Sequence, residues 1–307
     1  MKQSIEQMIK VENLSKKYKN DKEYALDNVN FEIFRGEFTA LLGPNGAGKT
    51  SLINIISGVV VRDAGRVAIA GHDIDSGKIE TKISIGIVPQ EIALDSFFKV
   101  KEILALQSGY YGIRKNNEYI DYIVHRLSLS DKMNSIVRNL SGGMKRRLLI
   151  AKALVHKPEI LILDEPTAGV DINLRHDLYR FVRELNSQGM TILLTTHYLE
   201  EAEDLCGRVI LINKGKIAAD KSKSEFLKLA GDFLKVRIES KENLSKQLLS
   251  EYFKYENGDN KYFEIPKSNI KQIFEKISSV KEPILDISIN SPGIEELFIR
   301  LTGDDRE

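Results

Sequence analysis

The sequence predicts an α/β fold: a mainly parallel central sheet with an antiparallel β edge and a helical insertion, followed by a small α+β domain. Three observations lead there. Short unbroken apolar runs, Phe38–Leu42, Ile160–Leu163 and Thr191–Thr195, have the composition of parallel strands buried on both faces. The first of them leads straight into Gly43-Pro44-Asn45-Gly46-Ala47-Gly48-Lys49-Thr50-Ser51, which fits G-x-x-x-x-G-K-[ST] with a strand before it and a helix after it. From Glu91 to Lys157, apolar residues recur at three- and four-residue spacing without a strand signal.

The loop at 43–51 suits phosphate binding. Glycines let the backbone bend so that successive N–H groups point at one anion, and a helix N-terminus adds partial positive charge. Lys49 is placed to reach the β/γ oxygens of a nucleotide and Thr50 to offer a hydroxyl to Mg²⁺, while Leu52, Ile53 and Ile56 pin the helix to a sheet. The bland alternative is a glycine-rich turn without a ligand. A dinucleotide fold does not match, because the glycines space as G-x-x-G-x-G and not G-x-G-x-x-G.

Composition narrows the options. The 307 residues carry 45 Lys+Arg against 44 Asp+Glu, a net charge of +1, which argues against a nucleic-acid binder relying on a broad basic face. Cys206 is the single cysteine, so neither an internal disulfide nor a cysteine-based zinc site is expected, and a reducing compartment is compatible. Met1–Lys10 lacks the apolar stretch of a secretory signal, and no run approaches the roughly 20 apolar residues that span a bilayer. Any membrane role would therefore need a second chain.

Taken in order, residues 8–35 alternate apolar and polar and read as antiparallel edge strands, with Tyr18 in a Lys-rich turn between them. Tyr18 by itself reads as an ordinary half-exposed tyrosine. A turn at Asp63-Ala64-Gly65 precedes a strand at Arg66–Ala70, and Ile83–Val88 reads as a strand stopped by Pro89 and followed by Gln90. Ser141-Gly142-Gly143 opens the helix that runs to Pro158, and its free N–H groups suit either an N-cap or a second anion site. Asp164 and Glu165 close the strand Ile160–Leu163, at the end of the sheet where ligands bind. Asp164 suits holding Mg²⁺ and Glu165 suits deprotonating an attacking water; two solvated acids are the alternative. His197, after Thr191–Thr195, is either structural or a γ-phosphate contact. Val209–Ile212 is one more strand, and Ala219–Lys228 is polar, so a boundary is placed near 228. Beyond it strands are expected at Phe233–Ile238, Lys261–Ile265 and Ile284–Ile289, and helices at Leu244–Leu249, Ile270–Val280 and Gly293–Leu301, in a ferredoxin-like or similar arrangement.

The order of these motifs, from the phosphate loop through Gln90, Leu140-Ser141-Gly142-Gly143, Leu163-Asp164-Glu165-Pro166 and Asp171 to His197, resembles the ATP-binding subunit of ABC transporters over roughly residues 8–218. The resemblance implies an ABC-type phosphate-loop fold over 1–228, with a helical subdomain at about 91–157, and an accessory domain over 229–307. It implies an ATPase using ATP and Mg²⁺, with Tyr18 stacked on adenine and residues 43–51 around the phosphates. Thr50, Gln90 and Asp164 are the metal residues it implies, and Lys49, Gln90, Glu165 and His197 the catalytic ones. Ser141, Gly142 and Gly143 would touch the γ-phosphate held by a second copy, and Asp171 would cross that interface, so that two ATPs join a homodimer.

Two departures stand out: Met144 where the family often has glutamine, and Gly169-Val170-Asp171 for the commoner Ala-Leu-Asp. The second, with Pro292–Phe298 and Leu301-Thr302-Gly303, is similar to the exporter branch that moves drugs, antibiotics or polysaccharides. The implied setting is the cytoplasmic face of the membrane beside a separate membrane-spanning permease, with no nucleic acid. The rivals are a soluble ABC protein acting on ribosomes or nucleic acid, and a module that sequesters nucleotide or drug without turnover. The first usually has two ATP-binding units or a long coiled coil, neither of which is seen here; the second would need an impaired catalytic set.

Overall fold

Three strands in which every residue is buried form the middle of the molecule: β3 (Phe38–Leu42), β7 (Ile160–Asp164) and β8 (Thr191–Thr195). Apolar on both faces, they can only lie between layers. The computed structural model describes residues 6–19, 21–167, 172–240, 250–278, 284–291 and 293–302. With β6 (Ile85–Val88), β9 (Arg208–Asn213) and β10 (Lys216–Ser222) these strands make a six-stranded sheet in the order β10-β9-β3-β8-β7-β6, parallel except for β10. The register aligns Leu41 with Thr195, Asp164 with Thr195 and Val88 with Leu163. Four strands therefore end side by side, and the residues just beyond each are brought to one edge.

A second, antiparallel sheet runs β2-β1-β4-β5, from β1 (Gln7–Lys16), β2 (Leu26–Phe34), β4 (Ala64–Ile69) and β5 (His72–Asp73). Its alternating residues Ile9, Val11, Leu14, Val29 and Ile33 share one core with Leu52, Ile55 and Ile56 of helix α1 (Lys49–Ile56) and with Leu41, Ile162 and Ile210 of the parallel sheet. The helix is held between two sheets, which fixes its N-terminus against the end of β3.

The helical insertion comprises α3 (Val100–Tyr110), α4 (Asn117–Arg126) and α5 (Gly142–Leu154), with short 3₁₀ turns at Ser130–Lys132 and Val137–Asn139. Helix α6 (Ile172–Ser187) lies between β7 and β8 in the chain, and α7 (Leu199–Leu205) between β8 and β9. One reading needs correction. Ile83 and Ser84 belong to helix α2 (Lys78–Ser84) and not to β6, because Ile79 and Ile83 lie one helical turn apart on an exposed face while Ser84 turns inward to bond Glu80 O at 2.9 Å. The polar stretch from Ala219 completes β10, whose Asp220 accepts two hydrogen bonds from Arg208 on β9, and leads into α8 (Lys223–Ala230).

The chain divides into two compact units, Met1–Lys223 and Ser224–Glu307. The second has a four-stranded antiparallel sheet, β12-β13-β11-β14, from β11 (Phe233–Glu239), β12 (Phe253–Asn257), β13 (Asn260–Pro266) and β14 (Asp286–Asn290), with helices at Ile270–Ser278 and Ile294–Thr302. Counted within the unit, this is strand order 2-3-1-4, the order that a ferredoxin-like β-α-β-β-α-β chain produces. Its core is Leu234, Val236, Ile238, Phe263 and Ile265. The strand β12 escaped the reading of the sequence, and the helix expected at Leu244–Leu249 lies outside the described residues, as do Ser279 and Val280.

Candidate active site

At the end of β3 the chain turns through the loop 43–48 into α1. A Cβ on Gly43 would sit 2.3 Å from Ile212 O, and one on Gly48, at φ +111°, would sit 2.4 Å from Ala25 O. Only glycine lets the loop pass between β9 and the start of β2. No acidic residue and no side-chain cap occupies the first turn of α1, which leaves N–H groups free to face an anion. Lys49 folds back over the loop, its Nζ donating to Gly43 O at 2.6 Å and Pro44 O at 3.0 Å. Burial lowers its pKa, and the nearby Glu165 and Asp164 carboxylates partly offset this. Thr50 is exposed and Ser51 half-buried; the Tyr18 hydroxyl lies 3.2 Å from Ser51 Oγ, with the Lys16 ammonium 5.5 Å from the tyrosine ring centre.

Across the sheet edge, Asp164 accepts a hydrogen bond from the Thr195 hydroxyl. Burial raises the Asp164 pKa, and the neighbouring Glu165 carboxylate adds to the rise. Glu165 is the first residue past β7 and adopts φ +46°, a backbone state that a non-glycine residue holds only when its surroundings enforce it. The enforcing contacts are visible: its N–H donates to Thr195 O at 3.0 Å, and its carbonyl accepts from Arg146 Nη2 at 2.6 Å. Glu165 Oε2 in turn receives Gln90 Nε2 at 3.0 Å and stands 3.2 Å from His197 Nδ1. Lys49, Gln90, Asp164, Glu165 and His197 are thus gathered at the ends of four adjacent strands.

Ser141 is the N-cap of α5, its hydroxyl accepting from Met144 N–H at 3.3 Å. Ser141 and Gly142 are exposed, Gly143 is half-buried, and among the described residues no hydrogen bond joins them to the loop 43–51 of the same chain. Asp171 lies outside the described residues. Thr195 and Arg146 were not singled out from the sequence. A threonine closing an apolar strand beside Asp164 was a usable signal for the first; nothing local marked the second.

The oxygen donors also bear on a metal. Among the described residues no cluster of three or more His, Cys, Asp or Glu could hold an ion by itself. The Asp164 carboxylate, the Thr50 hydroxyl and the Gln90 amide oxygen are hard donors of the kind Mg²⁺ takes when phosphates and water supply the rest, so the residues fit that ion.

The family model described as ABC transporter matches residues 26–168. The linearmycin resistance ATP-binding protein LnrL of Bacillus subtilis (strain 168) is 33% identical over 96% of this chain and 98% of its own length. The chain belongs to the ABC transporter family. A second ABC relative, the daunorubicin resistance ATP-binding protein DrrA3 of Streptomyces coeruleorubidus, is 33% identical over 97% of this chain and 96% of its own length. Among solved structures, the dimeric post-hydrolysis state of the ATP-binding cassette MJ0796 bound to ADP and Pi aligns with a TM-score of 0.63 and 28% identity, covering 70% of this chain and 98% of that one. This chain is accordingly an ABC ATPase. Both resistance relatives align across nearly the whole chain, the second compact unit included. Among the described residues, no helix is long and apolar enough to cross a membrane.

Proposed function

We propose that this ABC ATPase powers the export of a drug, antibiotic or similar amphiphile through a separate membrane-spanning permease, at the cytoplasmic face of the membrane. The observation that carries the catalytic part is the placement of Glu165 between Gln90 and His197, opposite Lys49. Residues 1–228 act as the ATP-binding domain, with a helical subdomain at about 91–157, and residues 229–307 as an accessory domain.

In this reading Gly43–Ser51 wrap the phosphates, and Lys49 exchanges its two carbonyl partners for β/γ oxygens. Tyr18 stacks on adenine. Thr50, Gln90 and Asp164 would hold Mg²⁺, which would supply neutralisation of phosphate charge. Glu165 takes the proton of the attacking water, and His197 holds the γ-phosphate. Ser141, Gly142, Gly143 and Asp171 of a second copy complete each site, so ATP closes a head-to-tail homodimer and hydrolysis opens it. The exposure of Ser141 and Gly142, with no hydrogen bond to their own loop among the described residues, supports a partner's phosphates as their target.

A groove of about 650 Å³, lined in part by the exposed Val59 and Val61 and by Lys78, Gln107, Tyr111 and Lys152, suits a permease segment. Pro89 and Asp164 also line it, so an occupant is within reach of the catalytic residues. The names of the two resistance relatives support a drug-like cargo, and a net charge of +1 gives no support to a nucleic-acid partner. The test is affinity purification of the tagged chain from detergent-solubilised membranes. A co-purifying polytopic protein, and ATPase activity stimulated by its cargo in proteoliposomes, are expected; recovery of ribosomes or nucleic acid in its place overturns the export role.

A further inference from the structure

A guanidinium is an expensive group to bury, and Arg146 is only 3% exposed. Burial lowers its pKa; Asp164 and Glu165 counter this. Its partners are not carboxylates. Nη1 donates to Pro89 O and Nη2 to Glu165 O at 2.6 Å, while Nε has no hydrogen-bond partner. Pro89 immediately precedes Gln90, so the two carbonyls flank the 3.0 Å bond between the Gln90 and Glu165 side chains. One rigid planar fork thus closes a ring through the backbones of β6 and β7 at the point where the hydrolytic carboxylate is set.

We infer that Arg146 is the positioning residue for Glu165, holding its backbone at φ +46° and fixing the carboxylate against Gln90. The proposal rests on Glu165 being the general base. It also carries a route between sites. Arg146 is on α5, and Ser141 is the N-cap of that helix, about 7.5 Å away along the axis at 1.5 Å per residue. Movement of α5 when its first turn meets the partner's γ-phosphate is conveyed through the arginine to the carboxylate of its own chain. Each chain's hydrolysis is thereby tied to its signature loop having engaged.

The test uses the full chain with Arg146→Ala, Arg146→Lys, Glu165→Gln and the Arg146→Ala/Glu165→Gln pair. For Arg146→Ala we expect kcat to fall about 10–100-fold with KM for ATP and calorimetric ATP affinity within about twofold of wild type, the signature of an interaction that acts at the chemical step. Arg146→Lys, which can serve one carbonyl, is expected between the two. In the Glu165→Gln background, Arg146→Ala should lower the residual rate less than twofold, because the group it positions is already gone. A wild-type kcat in Arg146→Ala overturns the proposal. So does a loss of ATP affinity parallel to the loss of rate, or the same fold-loss in the Glu165→Gln background, since either marks a merely structural arginine. Should Arg146→Ala not fold, Arg146→Lys decides alone: lowered kcat at unchanged KM supports the proposal and wild-type kcat overturns it. Wild-type hydrolysis by Glu165→Gln would instead overturn the underlying assignment of the base.

Discussion

Gln90 Nε2 and Glu165 Oε2 meet at 3.0 Å although 75 residues separate them in the chain. The contact exists because β6 and β7 are parallel neighbours in register, Val88 beside Leu163, so that the residues just past each strand face one another. An amide donor on the carboxylate keeps it aimed, as the proposed role of a base that accepts a proton from water requires.

Replacing that acceptor tests it. Glu165→Gln keeps the shape and loses the proton acceptor, so hydrolysis should drop about 10²–10⁴-fold while ATP binding survives. The variant should accumulate as an ATP-bound dimer, read by light scattering after gel filtration with and without ATP. Unchanged turnover would remove Glu165 as the base.

Lys49 spends its hydrogen bonds on Gly43 O and Pro44 O, inside the loop it belongs to. In the proposed role those donors turn to phosphate oxygens when nucleotide binds. Hydrogen bonds to charged groups are worth about 1.5–3 kcal/mol, so Lys49→Ala should weaken ATP binding about 10–100-fold by calorimetry. Wild-type affinity in the variant would contradict the loop assignment.

The gathering of the proposed catalytic residues was legible in the sequence to the extent that short motifs carry it. Lys49 and Thr50 are fixed by their place after the glycines, and Asp164 and Glu165 by the end of an unbroken apolar run. Arg146 was not legible, because its acceptors are main-chain carbonyls 57 and 19 residues away and a carbonyl leaves no trace in composition. Helix α2 was missed for another reason. Ile83 continues smoothly into Ile85 and Ile87, and only the inward turn of Ser84 shows that one apolar run serves two elements. The strand β12 was missed because four of its five residues are exposed, so it lacks the alternation that marks a half-buried strand.

The two positive-φ glycines of the phosphate loop should respond differently to a methyl group. At Gly48 an alanine Cβ meets Ala25 O at 2.4 Å in addition to the backbone strain of φ +111°. At Gly46 the strain of φ +78° stands alone, with nothing within 4 Å. Gly46→Ala should therefore cost about 1–3 kcal/mol, the usual range for such strain, and leave the fold intact. Gly48→Ala should lower the melting temperature further and abolish nucleotide binding. Equal effects in thermal melts would show that close approach to Ala25 is not what Gly48 is for.

His156 makes stability depend on pH. Its ring is stacked on Tyr111 at 3.7 Å, Nε2 donates to Ile85 O at 2.9 Å, and Nδ1 has no partner. Burial lowers its pKa more than the bond to Ile85 raises it. The unfolded chain, with an ordinary histidine pKa of about 6.5, therefore binds the proton first as pH falls, and folding loses stability on acidification through that range. The buried Asp164 works in the opposite sense but is common to both proteins compared, and drops out of the difference. Urea midpoints of wild type and His156→Gln, taken at about pH 7.5 and about pH 5.5 on either side of the free histidine value, should shift in the variant's favour at the lower pH. A pH-independent difference would mean that His156 does not titrate between the two states.

The two units have separate cores. One draws on residues from Met8 to Ile217, the other on residues from Leu234 to Ile289. Every residue placed around the nucleotide, from Tyr18 to His197, belongs to the first unit. A chain ending at Ala230, which keeps helix α8 whole and stops before β11, should fold, bind ATP with wild-type affinity by calorimetry and show one calorimetric melting transition where the full chain shows two. Retained ATP binding with lost stimulation by cargo in proteoliposomes would assign residues 231–307 to coupling and not to chemistry. A truncated chain that folds but no longer binds ATP would show that the second unit contributes to the nucleotide site itself, and would overturn the division of labour proposed for the two.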